Sequence, residues 1–408
     1  SWLCAGCAFP PCLSCRALWL PIYSQHFKPK RAFWDVSSGP TQSLCSDCAA
    51  LQERSSDHWK EKYISRQIAA VQMRAISAVK PFRSPLSCKN REAMRAAGLS
   101  WMIVLKEKSG REHLKEKRKV SFQDTSLTIL WYGITWPCLD VLSALRLHGV
   151  VPLFPQGKRG PCYHSLIAEY HLADLTALGA DQAVQLFTLK PGLLLGLWKH
   201  TKEIAFVSAS LHYHQLMERS ILGSAARPFA PPAHQPLLDD SDPEHGLHGY
   251  CLHFDIHSGT YAYMCGTFRD LFCRKGRIAD GYVRLTALSS LQHGMEQCPF
   301  TTIPGLSWQT EELEGTVKEC CVLDVTLLDE EGENFWCFSA PVSMQLSPRS
   351  SSSCFFLHPS YTLEYCEGSE GRVCLELIYV SESRQYIVVS FVIYVSTRKV
   401  NEWYGTDY

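Results

Sequence analysis

The stretch CCVLDVTLLDEEGENFWCF, residues 320–338, decides how this chain is expected to fold. Two apolar runs, Cys320–Leu328 and Phe335–Phe338, flank the turn-forming residues 329–332, an order typical of a β-hairpin. Similar short runs occur on both sides of it. The other predicted strands are Trp101–Leu105, Leu127–Tyr132, Leu193–Trp198, Glu203–Ala209, Tyr250–Ile256, Tyr282–Leu288, Val373–Tyr379 and Tyr386–Val395.

Turns, rather than helices, connect these predicted strands. Lys190-Pro191-Gly192 and Ser258-Gly259 are two of the turn signals. Many strands joined by hairpin-like turns, without a helix between successive strands, favour an antiparallel sandwich or a distorted barrel. One short helix is expected at His214–Ile221. Residues 99–408 are therefore predicted to form one large β-rich domain, in a chain that is α+β but mainly β.

The helix signal lies upstream, in residues 55–98. Apolar residues recur at spacings of three and four over residues 59–79, which places them on one face of a long connecting helix that ends before Pro81. A shorter helix is expected to follow. Residues 36–54 are rich in Ser, Gly, Pro and Asp and are predicted to be a linker.

Composition excludes several classes of protein. The chain has 408 residues and a formal net charge of zero, so neither nucleic acid nor an anionic membrane is favoured as a partner. Its 19 cysteines are an odd number spread over a long chain, unlike a small disulfide scaffold. No signal peptide and no run of membrane-spanning length is visible. We expect a reducing compartment, the cytosol or the nucleus.

Three pairs of cysteines have the spacing of structural zinc ligands, with two residues between the thiols. The first two pairs lie too close together for a zinc ribbon, and the third is far from both. We therefore expect buried free thiols, and predict no metal and no other cofactor. The pairs are Cys4/Cys7, Cys12/Cys15 and Cys45/Cys48.

A second possible ligand set is His253-x-Asp255-x-His257. These residues alternate with apolar ones, so a strand would place two imidazoles and a carboxylate on one face. That face could hold a metal, or it could simply be a solvated or cargo-contacting surface, and the second interpretation is preferred. The long loop Ala225–Glu244 precedes it, and Asp239 and Asp240 of this loop belong to the same candidate cargo surface.

Four apolar residues near the start of the chain, Leu18, Trp19, Ile22 and Tyr23, have helical spacing. A helix would put them on one face. Aromatic residues are enriched in the centres of protein interfaces, so this face could bind a partner. It could equally seal the chain's own core, and spacing alone favours that simpler interpretation.

Several longer stretches together resemble proteins of the F-box family. Leu18-Trp19 and Ile22-Tyr23 lie where the F-box of that family ends. The resemblance extends over nearly the whole chain and is carried by Ile129–Cys138 (ILWYGITWPC), Leu189–Lys199 (LKPGLLLGLWK), Met217–Ala225 (MERSILGSA), Leu238–Gly259 (LDDSDPEHGLHGYCLHFDIHSG), Cys265–Phe272 (CGTFRDLF), Asp324–Val342 (DVTLLDEEGENFWCFSAPV) and Trp403–Tyr408 (WYGTDY).

This resemblance implies the role of a substrate receptor. An F-box binds Skp1, which bridges to a cullin and a RING subunit, and the downstream domain presents a protein substrate for ubiquitination. Leu18, Trp19, Ile22 and Tyr23 would then be the Skp1-binding residues, and no residue of this chain would be catalytic. The first half of an F-box is missing from residues 1–35, and two prolines there oppose a helix, so we expect an incomplete F-box.

The residues also fit two other classes of protein. One is a metal-dependent β-barrel enzyme that uses the face of His253, Asp255 and His257. The other is a structural interaction module with no link to a ligase. The substrate is not identified by the sequence in any of these interpretations.

Overall fold

Two β bodies follow one another along the chain, the first within residues 99–226 and the second within 242–408. Every strand pairing between the described residues is antiparallel. The computed structural model describes residues 99–133, 135–152, 162–221, 223–226, 242–288, 303–347 and 359–408, and helical residues at 19, 21–23, 25–26, 59–60, 62–63, 65–66, 91–92 and 94–95.

The first β body consists of two sheets that share one core. A four-stranded sheet has the order β2-β1-β5-β6, and a six-stranded sheet has the order β3-β4-β10-β9-β8-β7. The strands are β1 (Ser100–Glu107), β2 (Glu112–Glu116), β3 (Lys119–Phe122), β4 (Ser126–Tyr132), β5 (Leu142–Pro152), β6 (Cys162–His171), β7 (Thr176–Ala180), β8 (Val184–Leu189), β9 (Leu193–Trp198) and β10 (Ile204–His212).

The second β body is a nearly closed eight-stranded sheet of order β12-β11-β16-β17-β18-β19-β20-β13, whose edge strands β12 and β13 contact each other. A separate hairpin, β14–β15, lies beside it. The strands are β11 (Tyr250–His257), β12 (Ala262–Leu271), β13 (Tyr282–Leu288), β14 (Gly305–Gln309), β15 (Glu314–Lys318), β16 (Cys320–Leu328), β17 (Asn334–Leu346), β18 (Ser360–Glu367), β19 (Gly371–Val380) and β20 (Gln385–Ser396).

Strands β10 and β16 are buried along their entire length, which distinguishes them from ordinary half-exposed strands. In β16, Leu323, Val325 and Leu327 face the core of the second body. The alternate residues face the first body instead. Both strands are therefore covered on both faces, and the two bodies meet along β10 of the first and β16 and β17 of the second.

Short helices complete the described β region. The helix α1 (Tyr213–Leu216) continues directly into a π-helical turn at Met217–Ile221. The helix α2 (Thr397–Tyr404) begins after Ser396, whose side chain accepts a hydrogen bond from the backbone N–H of Lys399, and ends at Gly405 in the left-handed conformation. Within the described residues, no helix is long and apolar enough to cross a membrane.

The predicted fold class, mainly β with a sandwich-like or barrel-like antiparallel domain, is confirmed. The strands β9, β13 and β16 have the predicted bounds, and the helix predicted at His214–Ile221 is present. The sequence did not predict β2, β3, β5, β6, β7, β8, β12, β14, β15 and β18, nor the helix α2. The paired cysteines between Cys4 and Cys48 lie outside the described residues.

Candidate functional site

A buried layer of polar side chains fills part of the contact between the two β bodies, and we call it the polar layer. It arises from strand alternation, because residues that alternate with the core-facing ones point toward the other body. Its members come from β4 and the turn before it, β10, β11, β16 and β17. They are Thr125, Ser126, His212, His253, Asp255, His257, Asp324, Thr326 and Ser339, all of them buried.

Strand register places the polar layer in cross-strand rows. Asp324 lies directly opposite Asp255 of β11 on one side and directly opposite Ser339 of β17 on the other. Two pairs further along, and so on the same face, His253 lies opposite Thr326. Two carboxyl groups are therefore immediate neighbours in a region without solvent, where like charges repel strongly.

Hydrogen bonds across the polar layer connect the two bodies. The hydroxyl of Thr125 donates to Oδ2 of Asp324 at 2.9 Å. Nε2 of His212 is 2.8 Å from the hydroxyl of Thr326. Since both bonds join side chains that are shielded from water, loss of either partner would leave a buried polar group unsatisfied.

His257 and Asp324 form the central pair, with 3.1 Å between Nε2 and Oδ2. The backbone N–H of Gly259 donates to Nδ1 of His257 at 2.9 Å, so the imidazole proton resides on Nε2. Burial lowers the pKa of His257, but the charge and proximity of Asp324 and the charge of Asp255 outweigh burial, so the net pKa is raised. Nδ1 thus accepts from the backbone, and Nε2 lies against the carboxylate of Asp324.

Asp324 is held in its ionised form. Burial by itself would raise its pKa, but the charge of His257 and the neighbouring polar groups of His257, Ser126 and Ser339 outweigh burial. The net effect lowers the pKa of Asp324 to about 2. Asp324 is therefore the fixed negative charge around which the polar layer is arranged.

The other histidines of this region are neutral. Burial lowers the pKa of His212 to about 3 and that of His214 to about 4. Burial also lowers the pKa of His253. Nδ1 of His253 is 2.9 Å from the hydroxyl of Thr267. None of these rings supplies a positive charge to the carboxyl groups at neutral pH.

Asp255 behaves differently from Asp324. Burial is the largest cause that raises the pKa of Asp255 to about 7; the charge of His257 opposes it, and the charges of Asp324 and Asp124 add smaller increases. Among the described residues, Oδ1 of Asp255 has no hydrogen-bond partner. The protonation of this carboxyl consequently changes near neutral pH.

The expected solvated face at His253, Asp255 and His257 is wrong, because their exposed fractions are 1%, 5% and 0%. Alternation with apolar residues was interpreted correctly, but the polar face is covered by the first β body instead of water. These side chains are therefore not accessible to a second protein while the two bodies are docked. The other two candidate cargo residues, Asp239 and Asp240, lie outside the described residues.

The alternative of a metal centre on this face is not supported either. Within the described part of the chain, no group of three or more His, Cys, Asp or Glu side chains is placed to hold a metal ion. Residues two apart on a strand are separated by about 7 Å, so His253, Asp255 and His257 do not converge on one point. His253 contacts the hydroxyl of Thr267, and His257 contacts the carboxylate of Asp324. Oδ1 of Asp255 has no hydrogen-bond partner among the described residues.

A cleft of about 480 Å³ opens to solvent next to the polar layer. Its floor comes from the six-stranded sheet of the first body, and its walls come from the hairpin β14–β15 and the turn that follows β11. Hydroxyl groups dominate its lining, which includes Ser121, Thr128, Ser208, Ser258, Thr260 and Ser307. Because both bodies line it, the shape of the cleft depends on how they dock.

The aromatic residues near the start of the chain pack against a second helical segment. The ring centroids of Trp19 and Tyr63 are 5.6 Å apart, and those of Tyr23 and Trp59 are 5.3 Å apart. Trp19 and Tyr23 are half-buried, whereas Tyr63 is fully buried. Ile22 is also half-buried, and Leu18 lies outside the described residues.

Basic side chains frame this aromatic cluster, which comprises Trp19, Tyr23, Trp59 and Tyr63. The ammonium group of Lys62 is 5.6 Å from the centre of the Tyr23 ring, and the guanidinium of Arg66 is 5.3 Å from the same centre. Part of each half-buried ring remains accessible. The cluster therefore combines an internal packing role with an exposed aromatic surface, the two interpretations that spacing alone left open.

Sequence reasoning missed Asp324, Thr125 and Ser126 as members of the polar layer. A signal for Asp324 existed, since a lone carboxylate interrupts the apolar run Cys320–Leu328. A buried charge is tolerated only with partners, so that interruption predicts a polar neighbour. Thr125 and Ser126 carry no comparable signal, because small hydroxyl residues are common at the start of strands.

The whole chain is similar to curated proteins named F-box only protein 15. It is 44% identical over 421 residues to that of Macaca fascicularis, covering 100% of this chain and 96% of the relative. It is 43% identical over 421 residues to that of Homo sapiens, covering 100% of this chain and 82% of the relative. The relative from Mus musculus is 35% identical, with 99% of this chain and 95% of the relative covered. No protein-family model matches the chain.

Proposed function

Given that this chain belongs to the F-box only protein 15 family, we propose that it is the substrate-recognition subunit of an SCF (Skp1–cullin–F-box) ubiquitin ligase. The observation that carries the proposal is the extent of the similarity, which covers 100% of this chain at 44% identity. The proposal assigns no catalytic residue to this chain. It places the protein in the cytosol, the nucleus or both.

The aromatic cluster is the surface we propose for Skp1. Leu18, Trp19, Ile22 and Tyr23 would contribute the apolar contact. Rings that are already fixed against Trp59 and Tyr63 lose little conformational freedom on binding, which favours affinity. Partly exposed aromatic side chains are also the residues that most often dominate interface energies.

The mechanism we propose is proximity. The β bodies would hold a protein substrate while Skp1 and the cullin hold the ubiquitin-charged enzyme nearby. Restricting two reactants to one assembly raises their effective concentration, often into the millimolar range with flexible connections. Substrate lysines would then react without any chemical contribution from this chain.

The surface that contacts the substrate is the next part of the proposal. Burial of His253, Asp255 and His257 leaves Asp239 and Asp240 as the earlier candidates, together with the adjoining rim of the hydroxyl-rich cleft. The cleft is within the size range of ligand sites, at about 480 Å³, and lies where two bodies meet. We propose that the substrate contacts this side of the protein.

Co-purification of the full chain with Skp1 tests the proposed function. We expect Trp19→Ala to reduce retained Skp1 by about tenfold or more, because truncating a central aromatic residue commonly costs over 1.4 kcal/mol. A matched control is Tyr261→Ala, since Tyr261 is an aromatic side chain that is 62% exposed on the second β body. Equal retention by both variants, or no retention by the unaltered chain, would contradict the proposal.

A further inference from the structure

We propose that the carboxyl groups of Asp255 and Asp324 share a single proton, and that this proton controls the docking of the two β bodies. The inference concerns the polar layer and is independent of the ligase role. It assigns a conformational switch to a pair of residues in the contact between the bodies.

Asp255 and Asp324 are direct cross-strand partners on β11 and β16, with their side chains on the same face of the sheet. The Cβ atoms of such partners are about 5 Å apart, within reach of a carboxyl–carboxyl hydrogen bond. Both side chains are buried, and Oδ1 of each has no hydrogen-bond partner among the described residues.

Two ionised carboxylates at this distance would need two nearby positive charges, since both side chains are shielded from water. His257 lies beside Asp324 with 3.1 Å between Nε2 and Oδ2, and this one imidazole compensates at most one of the two negative charges. The titratable groups that face the pair from the elements around it are His253 and His257 on β11, Cys265 on β12, Asp124 before β4, His212 on β10 and His214 on α1.

Oδ2 of Asp324 already accepts from Thr125 and lies 3.1 Å from Nε2 of His257, so Asp324 is the ionised member of the pair. A proton on Asp255 gives its carboxyl one O–H, which donates to Oδ1 of Asp324. This single hydrogen bond satisfies both unpartnered groups and removes the repulsion. The raised pKa of Asp255, caused mainly by burial, with His257 opposing it and Asp324 adding to it, agrees with that assignment.

Loss of this proton affects the contact between the bodies. With both carboxylates ionised, repulsion pushes Asp324 away from Asp255 and strains its bond to Thr125 of the first body. The cleft adjoins this point, since Ser258 follows His257 directly and Thr128 lies two residues beyond Ser126 on β4. We therefore expect the cleft to loosen as the pH rises through the neutral range.

Two substitutions test the inference on the full chain by thermal unfolding between pH 5 and pH 8. Asn at position 255 resembles the protonated acid and still donates to Asp324, whereas Asn at position 324 removes the acceptor of Thr125 and His257. We expect Asp255→Asn to unfold within a few degrees of the unaltered protein at pH 5. At pH 8 it should unfold at a temperature several degrees higher than the unaltered protein. Asp324→Asn should unfold at a much lower temperature at both values.

The outcome that overturns the inference is a difference between Asp255→Asn and the unaltered protein that does not change with pH. Failure of Asp255→Asn to fold would overturn it as well, because the amide has the size and donor of the protonated acid. Amide hydrogen exchange gives the second measurement. Protection of residues 258–260 and of β4 should fall at pH 8 in the unaltered protein, and should stay constant in Asp255→Asn.

Discussion

At the scale of single residues, the contact between the two β bodies depends on positions where a larger side chain does not fit. Gly192 is the tightest of them, since it lies between the backbones of β10 and β17 with a φ of 64°. An added Cβ would be 2.3 Å from the carbonyl oxygen of Ser210 and 2.8 Å from that of Ser339. Neither backbone atom can move without disturbing a buried strand.

Gly192→Ala is therefore expected to destabilise the protein by about 3 kcal/mol or more, because backbone strain and a clash act together. The matched control is Gly110→Ala, where φ is 89° but no atom lies within 4 Å of the added carbon. Only strain acts there, so we expect a loss of about 1 kcal/mol. Urea unfolding of both variants measures the difference, and equal losses would show that the clash at Gly192 is relieved.

At the scale of elements, the hairpin β14–β15 covers the apolar part of the contact between the bodies. Trp308 of this hairpin stacks on Phe206, with 6.0 Å between ring centroids, and its indole N–H donates to Asp181 at 2.5 Å. Leu306 and Val317 are buried in the same cluster. One hairpin thus closes the apolar side of the contact and also forms a wall of the cleft.

Trp308→Ala should cost about 3–5 kcal/mol of stability, the usual range for deleting a large buried aromatic side chain. It should also leave Asp181 without its side-chain donor from the hairpin. Leu313→Ala at the tip of the same hairpin serves as control, because Leu313 is 53% exposed, and we expect a change within about 0.5 kcal/mol. Chemical unfolding would contradict the assignment if both substitutions cost the same.

At the scale of the whole molecule, the neutral histidines make the protein sensitive to acid. His212, His214 and His253 have folded-state pKa values below the usual 6.5, so the unfolded chain binds protons that the folded chain does not. Their contribution to stability is present above pH 6.5 and is lost as the pH falls toward 4. The raised pKa of Asp255 acts in the opposite direction over part of that range.

Replacing one buried histidine isolates its share of this effect. His212→Asn removes the ring whose pKa is lowered to about 3, at a site where it contacts Thr326. Each pKa unit corresponds to about 1.4 kcal/mol, so the stability gap between the unaltered protein and the variant should narrow clearly from pH 7 to pH 4.5. Unfolding midpoints in urea measure the gap, and a constant gap would argue that His212 is protonated in the folded protein.

Much of the fold could be predicted, because apolar runs and turns are local signals. Strands such as β9, β13 and β16 were bounded correctly on that basis. The strand β2, with the sequence EHLKE, was missed because a short charged edge strand has no apolar run to detect. Helix α2 was also missed because it lacks a local signal: it begins at Thr397, directly after the long strand β20, with no turn residues between the two.

The candidate site could be predicted only in part. Placing His253, Asp255 and His257 on one face was possible, since strand alternation is a property of the local chain. It was not possible to predict whether that face meets water or another sheet, because both surroundings produce the same alternating pattern. The partner residues Thr125 and Asp324 are about 200 positions apart in sequence, and their meeting is set by the docking of two bodies.

Buried thiols near this contact have a practical consequence. Cys320, Cys321 and Cys337 are buried on strands of the second β body, Cys321 in its core and Cys320 against the first body, and burial raises the pKa of each thiol. They should resist alkylating reagents until these strands open. The rate of labelling therefore reports when this half of the protein unfolds, and mass spectrometry can follow it in a cell lysate without any added dye or tag.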